Sequence, residues 1–450
     1  MPEDGSIPAT ELVSAMRLLE QLMPGKELES SRPSAPHTVY TTLVTLWMLT
    51  LQRLGAGKSL EEVVKEVVFN HREILPRNKR VEDAALSFSS AAYSGARQRL
   101  ELATTEAFAC RVCQSLIDLS PPAFDGRRVF IIDGTTITLS PTPELQRAFP
   151  PATNQRGETV WPVAMLMVAH ELQSGCALPP EIGAMYGGKR TSEAEQAKAI
   201  AQRIPRGDIV MADSGFGIFG VVHALVQGGH PILFRMTKSR FKSVARGATL
   251  IEDWEGRRTY QTRWTPSPKD RASHPELPAD AALDVFLHEV PLGKGDTLYL
   301  VTTLPIKSET AAEYYSRRYD VEHDIRDVKV TLDTERIRAR SVDMVKKELF
   351  TSLVAFNLVV HFRRQAAALA QVPPRRLSFT EVWDTFHHFV IDKEPCDLAT
   401  WSARYDEALR LAAKYCKLPN RPQKRNYPRK AHPRRPKSTK FARPQSAKNP

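Results

Sequence analysis

The chain has 450 residues, 42% of them hydrophobic and 25% charged, which suits ordinary packed cores over two to four domains of about 150 residues. No stretch reaches the ~18 apolar residues of a membrane span. The nearest, Leu43 to Leu51, soon meets Gln52 and Arg53, and the opening MPEDGSIPATE has no basic segment leading into an apolar run, so neither a membrane protein nor a secreted one is expected. Five scattered cysteines (Cys110, Cys113, Cys176, Cys396, Cys416) point to reduced thiols in a cytoplasmic protein. Cys110 and Cys113 form a CxxC, but with no second pair nearby it is weak evidence for metal or redox use. The net charge of +12 sits at one end. Lys417 to Pro450 holds twelve Lys or Arg and no Asp or Glu. Removing those twelve from the 63 basic residues leaves a number equal to the 51 acidic ones. This proline-rich tail (417–450) is expected to be disordered, and a basic arm suits the DNA backbone.

In chain order, residues 1–120 read as a helical domain, expected to bind DNA. Thr10 precedes ELVSAMRLLEQLM, Leu43 to Leu54 is a second apolar run, and Ser59 with Glu62 opens SLEEVVKEVVF as a capping box. A longer helix is expected from Ser89 or Ser90 to Leu116, carrying Arg97 and Arg99, which could face DNA. From about 121 to 237 the pattern becomes α/β. Arg128 to Asp133 is a short apolar run ending in a carboxylate. Val160 to Val168 and Cys176 to Ile182 are strand candidates. A helix over Ser192–Arg203 has Glu195 at its capping-box position. Ile209 to Asp213 is again an apolar run ending in Asp, followed by a helix (Gly220 to Gln227) and a strand (Ile232 to Met236). Residues 238–306 look like a β-rich insertion, with strand-like pieces at Thr259–Trp264, Val285–Val290 and Thr297–Thr302 around a proline-rich loop. From Lys307 to Val372 there is no Gly or Pro, which predicts long helices, with Thr310 and Glu313 as a capping box. Two C-terminal helices are expected within 373–416, over Ser378–Val390 and Thr400–Tyr415.

Asp133 and Asp213 each end an apolar strand, where ligands gather in α/β sheets, although an Asp after a strand often just starts a turn. Phosphodiester cleavage can use two Mg²⁺ ions about 3.5–4 Å apart, held by a few carboxylates. A third carboxylate is supplied by a helix. Tyr315, Arg318, Glu322 and Lys329 fall within an arc of about 60° along ~21 Å of one helix face, and Arg326 extends the stripe. That pattern reads as a metal-binding carboxylate flanked by donors to phosphates, against the plainer reading of Arg318 and Glu322 as an i,i+4 surface pair.

The spacing Y-(2)-R-(3)-E-(6)-K resembles the signature of the bacterial insertion-sequence transposases of the IS-four group. IIDGTTITL resembles the family's strand with the first Asp, and MADSGFG its second. RIRARSVDMVKKELFTSLVAFNLV is similar to the segment after the Glu, and SAAYSGARQRL to the N-terminal helical region. The resemblance, over about 60 to 365, implies an RNase H-like catalytic core with Asp133 on the first strand and Asp213 after the fourth. Glu322 would lie on a later helix, beyond a β-rich insertion. It further implies that Asp133, Asp213 and Glu322 bind two Mg²⁺ or Mn²⁺ ions. Tyr315, Arg318, Arg326 and Lys329 would bind phosphates. DNA would be the partner, as the element's terminal inverted repeats and the target, with a dimer or higher oligomer on DNA in the bacterial nucleoid. Water would cut at the element's end to free a 3′-OH, which would then attack target DNA. Two departures stand out. Ser214 occupies a position where relatives often have Arg. The last insertion strand reads Thr297-Leu298-Tyr299-Leu300 without the Trp of hairpin-forming relatives, leaving Tyr299, Trp254 or Trp264 as candidates for base stacking. The competing readings are a domesticated, inactive DNA-binding protein, another RNase H-like nuclease, or an RNA-binding protein driven by its tail.

Overall fold

The computed structural model describes residues 38–419, apart from 56–57, 78, 84, 155–156, 294–295, 329–336 and 392–397. The expected helix after Thr10, Lys329, and the basic tail beyond Leu418 and Pro419 lie outside the described residues.

The described residues begin with helices α1 (Thr42–Leu54), α2 (Leu60–Asn70), the one-turn α3 (Lys79–Glu82), α4 (Ala91–Arg99) and α5 (Leu102–Asp118). Ser59 and Glu62 cap α2 reciprocally, as their spacing predicts. The single helix expected from Ser89 to Leu116 is two, because Leu100 turns extended (ψ 123°) between α4 and α5. Arg97 does not face solvent. It is buried and donates to the Glu348 carboxylate at 2.6 Å, so it serves packing and is withdrawn from DNA contact.

A ten-stranded sheet follows: β1 (Val129–Thr138), β2 (Pro151–Asn154), β3 (Gly157–Glu171), β4 (Ala177–Ala184), β5 (Ile209–Ala212), β6 (Ile232–Arg235), β7 (Thr249–Trp254), β8 (Arg257–Trp264), β9 (Leu283–Gly293) and β10 (Asp296–Thr302). Between strands lie α6 (Pro143–Ala148), α7 (Glu193–Ala201), α8 (Phe219–Gln227), α9 (Lys238–Val244) and α10 (Pro268–Ser273). Ser192 and Glu195 form the expected capping box of α7. The central order is β4-β3-β1-β5-β6. β1 and β4 run antiparallel to β3, while β5 runs parallel to both β1 and β6. Three antiparallel strands followed by two parallel ones is the strand order of an RNase H-like core. The later strands do not form a separate layer. β10 pairs with β6, and β9, β8 and β7 extend the same sheet.

The sheet is covered on both faces, and side-chain alternation decides which residue meets which cover. Phe130, Ile132, Val210, Ala212 and Phe234 belong to the larger core, with the N-terminal helices and α13 (Val342–Leu369). Val129, Ile131, Ile209, Met211 and Leu233 face the other way, onto Ala311, Tyr315 and Val321 of α11 (Ser308–Ser316) and α12 (Asp320–Arg326). The Gly- and Pro-free stretch from Lys307 is therefore not one helix. A 3₁₀ turn at Arg317–Tyr319 separates α11 from α12, and α13 packs on the opposite side of the sheet. Nor does Thr310 cap: α11 starts at Ser308 after Lys307, which makes no side-chain cap. The C-terminal helices α14 (Phe379–Val390) and α15 (Leu398–Tyr415) join the larger core. Among the described residues no helix is long and apolar enough to cross a membrane.

Candidate active site

β1 and β5 are parallel neighbours, with Ile131 level with Met211. Asp133 and Asp213 each lie two residues further on, so both carboxylates continue the face that Ile131 and Met211 present to α11 and α12. One detail departs from the sequence reading. β1 does not end at Asp133 but runs on to Thr138, because it pairs with the long strand β3 along its whole length. Asp213 does stand one residue past the end of β5. Its Oδ1 accepts the Gly215 amide at 2.8 Å, and Asp133 Oδ1 accepts the Gly134 amide at 2.8 Å. A glycine is required at 217, where a Cβ would come 2.5 Å from the Arg235 carbonyl oxygen.

Helices α11 and α12 bring the rest. The Arg318 side chain lies between two carboxylates. Its Nη2 donates to Glu322 at 2.8 Å, its Nη1 is 3.8 Å from Asp133, and its guanidinium lies 4.7 Å from the Tyr319 ring centre. The Tyr315 hydroxyl is buried, and among the described residues it has no hydrogen-bond partner. Burial pushes its pKa up, while the neighbouring Arg318 and Arg235 oppose that and Asp213 adds to it. The Asp133 carboxyl is pushed up to about 6. Burial is the main cause, and the charges of Asp213 and Glu322 add to it against the Gly134 amide and Arg318. Asp133 therefore feels the charges of both other carboxylates.

Arg326 is exposed and paired with Asp327 at 3.8 Å. Lys329 lies outside the described residues. The aromatic candidates are not brought to this face. Tyr299 packs on Phe241 and Trp264 on Phe219, both within the core on the opposite side of the sheet. Trp254 is exposed, but it ends the edge strand β7, four strand spacings or about 19 Å along the sheet from β6.

Several neighbours of the site were not singled out from the sequence. Arg240 on α9 donates to the Ser214 carbonyl at 3.2 Å, and so reaches the position after Asp213 from another helix. Behind α12, Asp324 receives a two-pronged contact from Arg375 at 2.7 and 2.9 Å and lies 3.7 Å from His170. Arg375 also approaches Asp320 at 3.2 Å, and Arg363 approaches Asp327 at 4.0 Å. The spacing of Asp320, Asp324 and Asp327 is itself a helical stripe, and that was the available signal.

Carboxylate oxygens are hard donors of the kind Mg²⁺ and Mn²⁺ take, and the raised Asp133 carboxyl marks a place where added positive charge is favourable. The donor set thus fits divalent cations. Among the described residues, no three His, Cys, Asp or Glu side chains converge closely enough to ligate one ion together. At this site a guanidinium, a monovalent cation, spans two of the carboxylates.

A parallel pair of strands presenting two acids to a helix with a third is the arrangement of a DDE nucleic-acid-processing core. The chain belongs to the family described as Transposase DDE domain, which it matches over residues 125–358. It is a DNA-cleaving and strand-transferring transposase, of a family that acts on DNA and generally uses divalent metal ions. It is 22% identical over 342 residues to transposase InsG for insertion sequence element IS4 of Escherichia coli (strain K12), a match covering 73% of this chain and 72% of that one. Among solved structures it is similar to piggyBac transposase in a synaptic complex with hairpin DNA, at 9% identity and a TM-score of 0.40 over 92% of this chain and 87% of the other.

Proposed function

We propose that Asp133, Asp213 and Glu322 jointly hold two divalent ions, Mg²⁺ or Mn²⁺, and that the enzyme uses them to cut the terminal inverted repeats of its own insertion sequence and join the freed 3′ ends to target DNA. The observation that carries this reading is the pairing of β1 with β5, which ends at Ile131 and Met211 two residues short of Asp133 and Asp213, with Arg318 spanning from Asp133 to Glu322. When bound, the ions supply Lewis-acid stabilisation of charge at the phosphate and at the attacking and leaving oxygens.

The side chains then have separate tasks. Asp133 stands on the central strand β1, and Asp213 follows directly on its paired neighbour β5, so the strand pairing limits how far the two can separate. Glu322 stands on a helix that packs on the same face through Val321. Arg318 offers a planar fork that suits a phosphate held by two hydrogen bonds. Its present partners show that the fork already reaches the space between the carboxylates. The Tyr315 hydroxyl can donate one hydrogen bond to a phosphate oxygen. Arg326 and Lys329 would hold the backbone further along the stripe. In the first step a water oxygen attacks phosphorus, the bond to the 3′ oxygen breaks, and the strand leaves as a 3′-OH while the phosphate stays on the other side. In the second, that 3′ oxygen attacks a target phosphorus in line and displaces the target's own 3′ oxygen. The DNA-bound form would be a dimer or higher oligomer in the bacterial nucleoid, with the basic segment 417–450 adding sequence-blind attraction.

The test is cleavage of the element's own ends by Asp133→Ala, Asp213→Ala and Glu322→Ala. Each is expected to bind the ends and fail to cut them. Cleavage at the normal rate by Glu322→Ala would sink the assignment.

A further inference from the structure

Beside the Asp213 loop, on the side of the sheet away from the carboxylates, α9, the end of β8 and α10 border a half-open cleft of about 840 Å³. Arg240, Arg246, Arg263 and Lys269 line it, with Asp270 as the one lining carboxylate. Asp270 is already committed. It accepts from the Ser267 amide at 2.9 Å and the Ser267 hydroxyl at 2.6 Å as the cap of α10. Among the described residues, none of the four cations makes an ion pair. This contrasts with Arg203, Arg257, Arg258 and Arg317 elsewhere in the fold, each held by a carboxylate. Arg246, Arg263 and Lys269 are exposed, so their charges cost little to maintain in water, and their convergence is not needed for packing. Arg240 ties the cleft to the site. Burial lowers its pKa, yet it is half-buried where its Nη1 reaches the Ser214 carbonyl at 3.2 Å, one residue from Asp213.

We infer that this cleft is a second DNA site, which takes the sugar–phosphate backbone of a single strand passing the Asp213 loop. The inference rests on the transposase reading above. Unpaired cations spaced along hydroxyl-bearing walls match a chain of phosphates. Stacking of bases is not what the cleft offers: Trp264 is buried with its ring packed against Phe219, and the His274 ring is tied to Glu276 at 3.1 Å. Binding is therefore sequence-blind and salt-sensitive. A cleft of about 840 Å³ takes in a short run of one strand and is too small to seat a duplex.

The experiment uses the full chain, so that the basic C-terminal segment contributes equally throughout. Wild type, the triple variant Arg246→Ala/Arg263→Ala/Lys269→Ala and the charge-retaining Arg246→Lys/Arg263→Lys are titrated with labelled oligo(dT) and with a blunt random duplex over a salt series. Fluorescence anisotropy is the readout. The triple alanine variant is expected to bind oligo(dT) roughly tenfold or more weakly at low salt. Its log–log salt slope should be shallower by about 2, from three contacts at ~0.7 each on a single strand. The lysine variant should match wild type, and duplex binding should change less. Unchanged affinity and slope for oligo(dT) would overturn the cleft, as would a loss confined to the duplex. Because the readout is binding without cleavage, failure here leaves the carboxylate assignment standing, and failure of Glu322→Ala to stop cleavage leaves the cleft standing.

Discussion

Helix α12 carries carboxylates on two sides, and they are treated in opposite ways. Towards β1, the Glu322 side chain is 52% exposed and held by one arginine that it shares with Asp133. On the other side, the Asp324 side chain is 6% exposed, gripped by both prongs of Arg375 and flanked by His170. His170 is fully buried, and burial lowers its pKa against the pull of Asp324. On the proposed reading, the difference separates a carboxylate kept for chemistry from one kept for structure. The first is under-compensated and reachable, while the second is desolvated and saturated by its partners. Asp133 belongs with the first kind, since its pKa is raised although a guanidinium stands nearby.

This contrast can be broken by substitution. The largest effect is expected at Glu322. Glu322→Ala should reduce end cleavage to background while changing stability by no more than about 0.5 kcal/mol, as for other exposed sites; a cleavage assay beside a chemical denaturation curve reads both. Asp324→Ala should do the reverse and destabilise by about 2 kcal/mol, because it removes the buried carboxylate that both prongs of Arg375 hold and leaves Arg375 only its contact to Asp320. A denaturation midpoint unchanged by Asp324→Ala would remove the structural half of the comparison.

The sign at Asp133 sharpens the point. Its folded pKa, about 6, lies above the ordinary 3.8. The folded state therefore binds a proton more tightly than the unfolded one, and any stability linked to that proton is present below pH 3.8 and lost as pH rises through 6. In chelator-treated protein, Asp133→Asn should be more stable than wild type at neutral pH by about 2 kcal/mol. That advantage should shrink as the pH falls through 6 towards 4. An Asn variant less stable than wild type at neutral pH would show that Asp133 is compensated in the folded state.

The smallest effect is expected at Arg318. Arg318→Lys keeps the charge but loses the planar fork. It should fold normally and cut about tenfold more slowly, a cost near 1.4 kcal/mol in the barrier. Full activity in the lysine variant would reduce Arg318 to a surface partner of Glu322.

Much of this was legible in the chain. The apolar runs ending at Asp133 and Asp213 mark neighbouring parallel strands, and Ser59 and Ser192 cap the helices their spacing predicts. Other features were hidden because they depend on partners far away in sequence. Nothing local shows that β1 outruns Asp133, since its extension is dictated by pairing with β3. The 3₁₀ turn at Arg317–Tyr319 contains no Gly or Pro to announce it. In β10 both faces are buried. Leu298 and Leu300 face the site side and Tyr299 and Val301 the other, so an unbroken apolar run gave no sign that Tyr299 points away. Arg375 comes from a proline-flanked turn, 51 positions from Asp324, and only the fold pairs them.

The central claim is that Asp133, Asp213 and Glu322 act as one metal site. Isothermal titration of Mn²⁺ into the full chain tests it most directly, comparing wild type with Glu322→Gln and with Asp324→Asn. The account predicts that Glu322→Gln binds Mn²⁺ much more weakly or with fewer ions, while folded Asp324→Asn binds as wild type does. Undiminished Mn²⁺ binding by Glu322→Gln, in both affinity and stoichiometry, would contradict it.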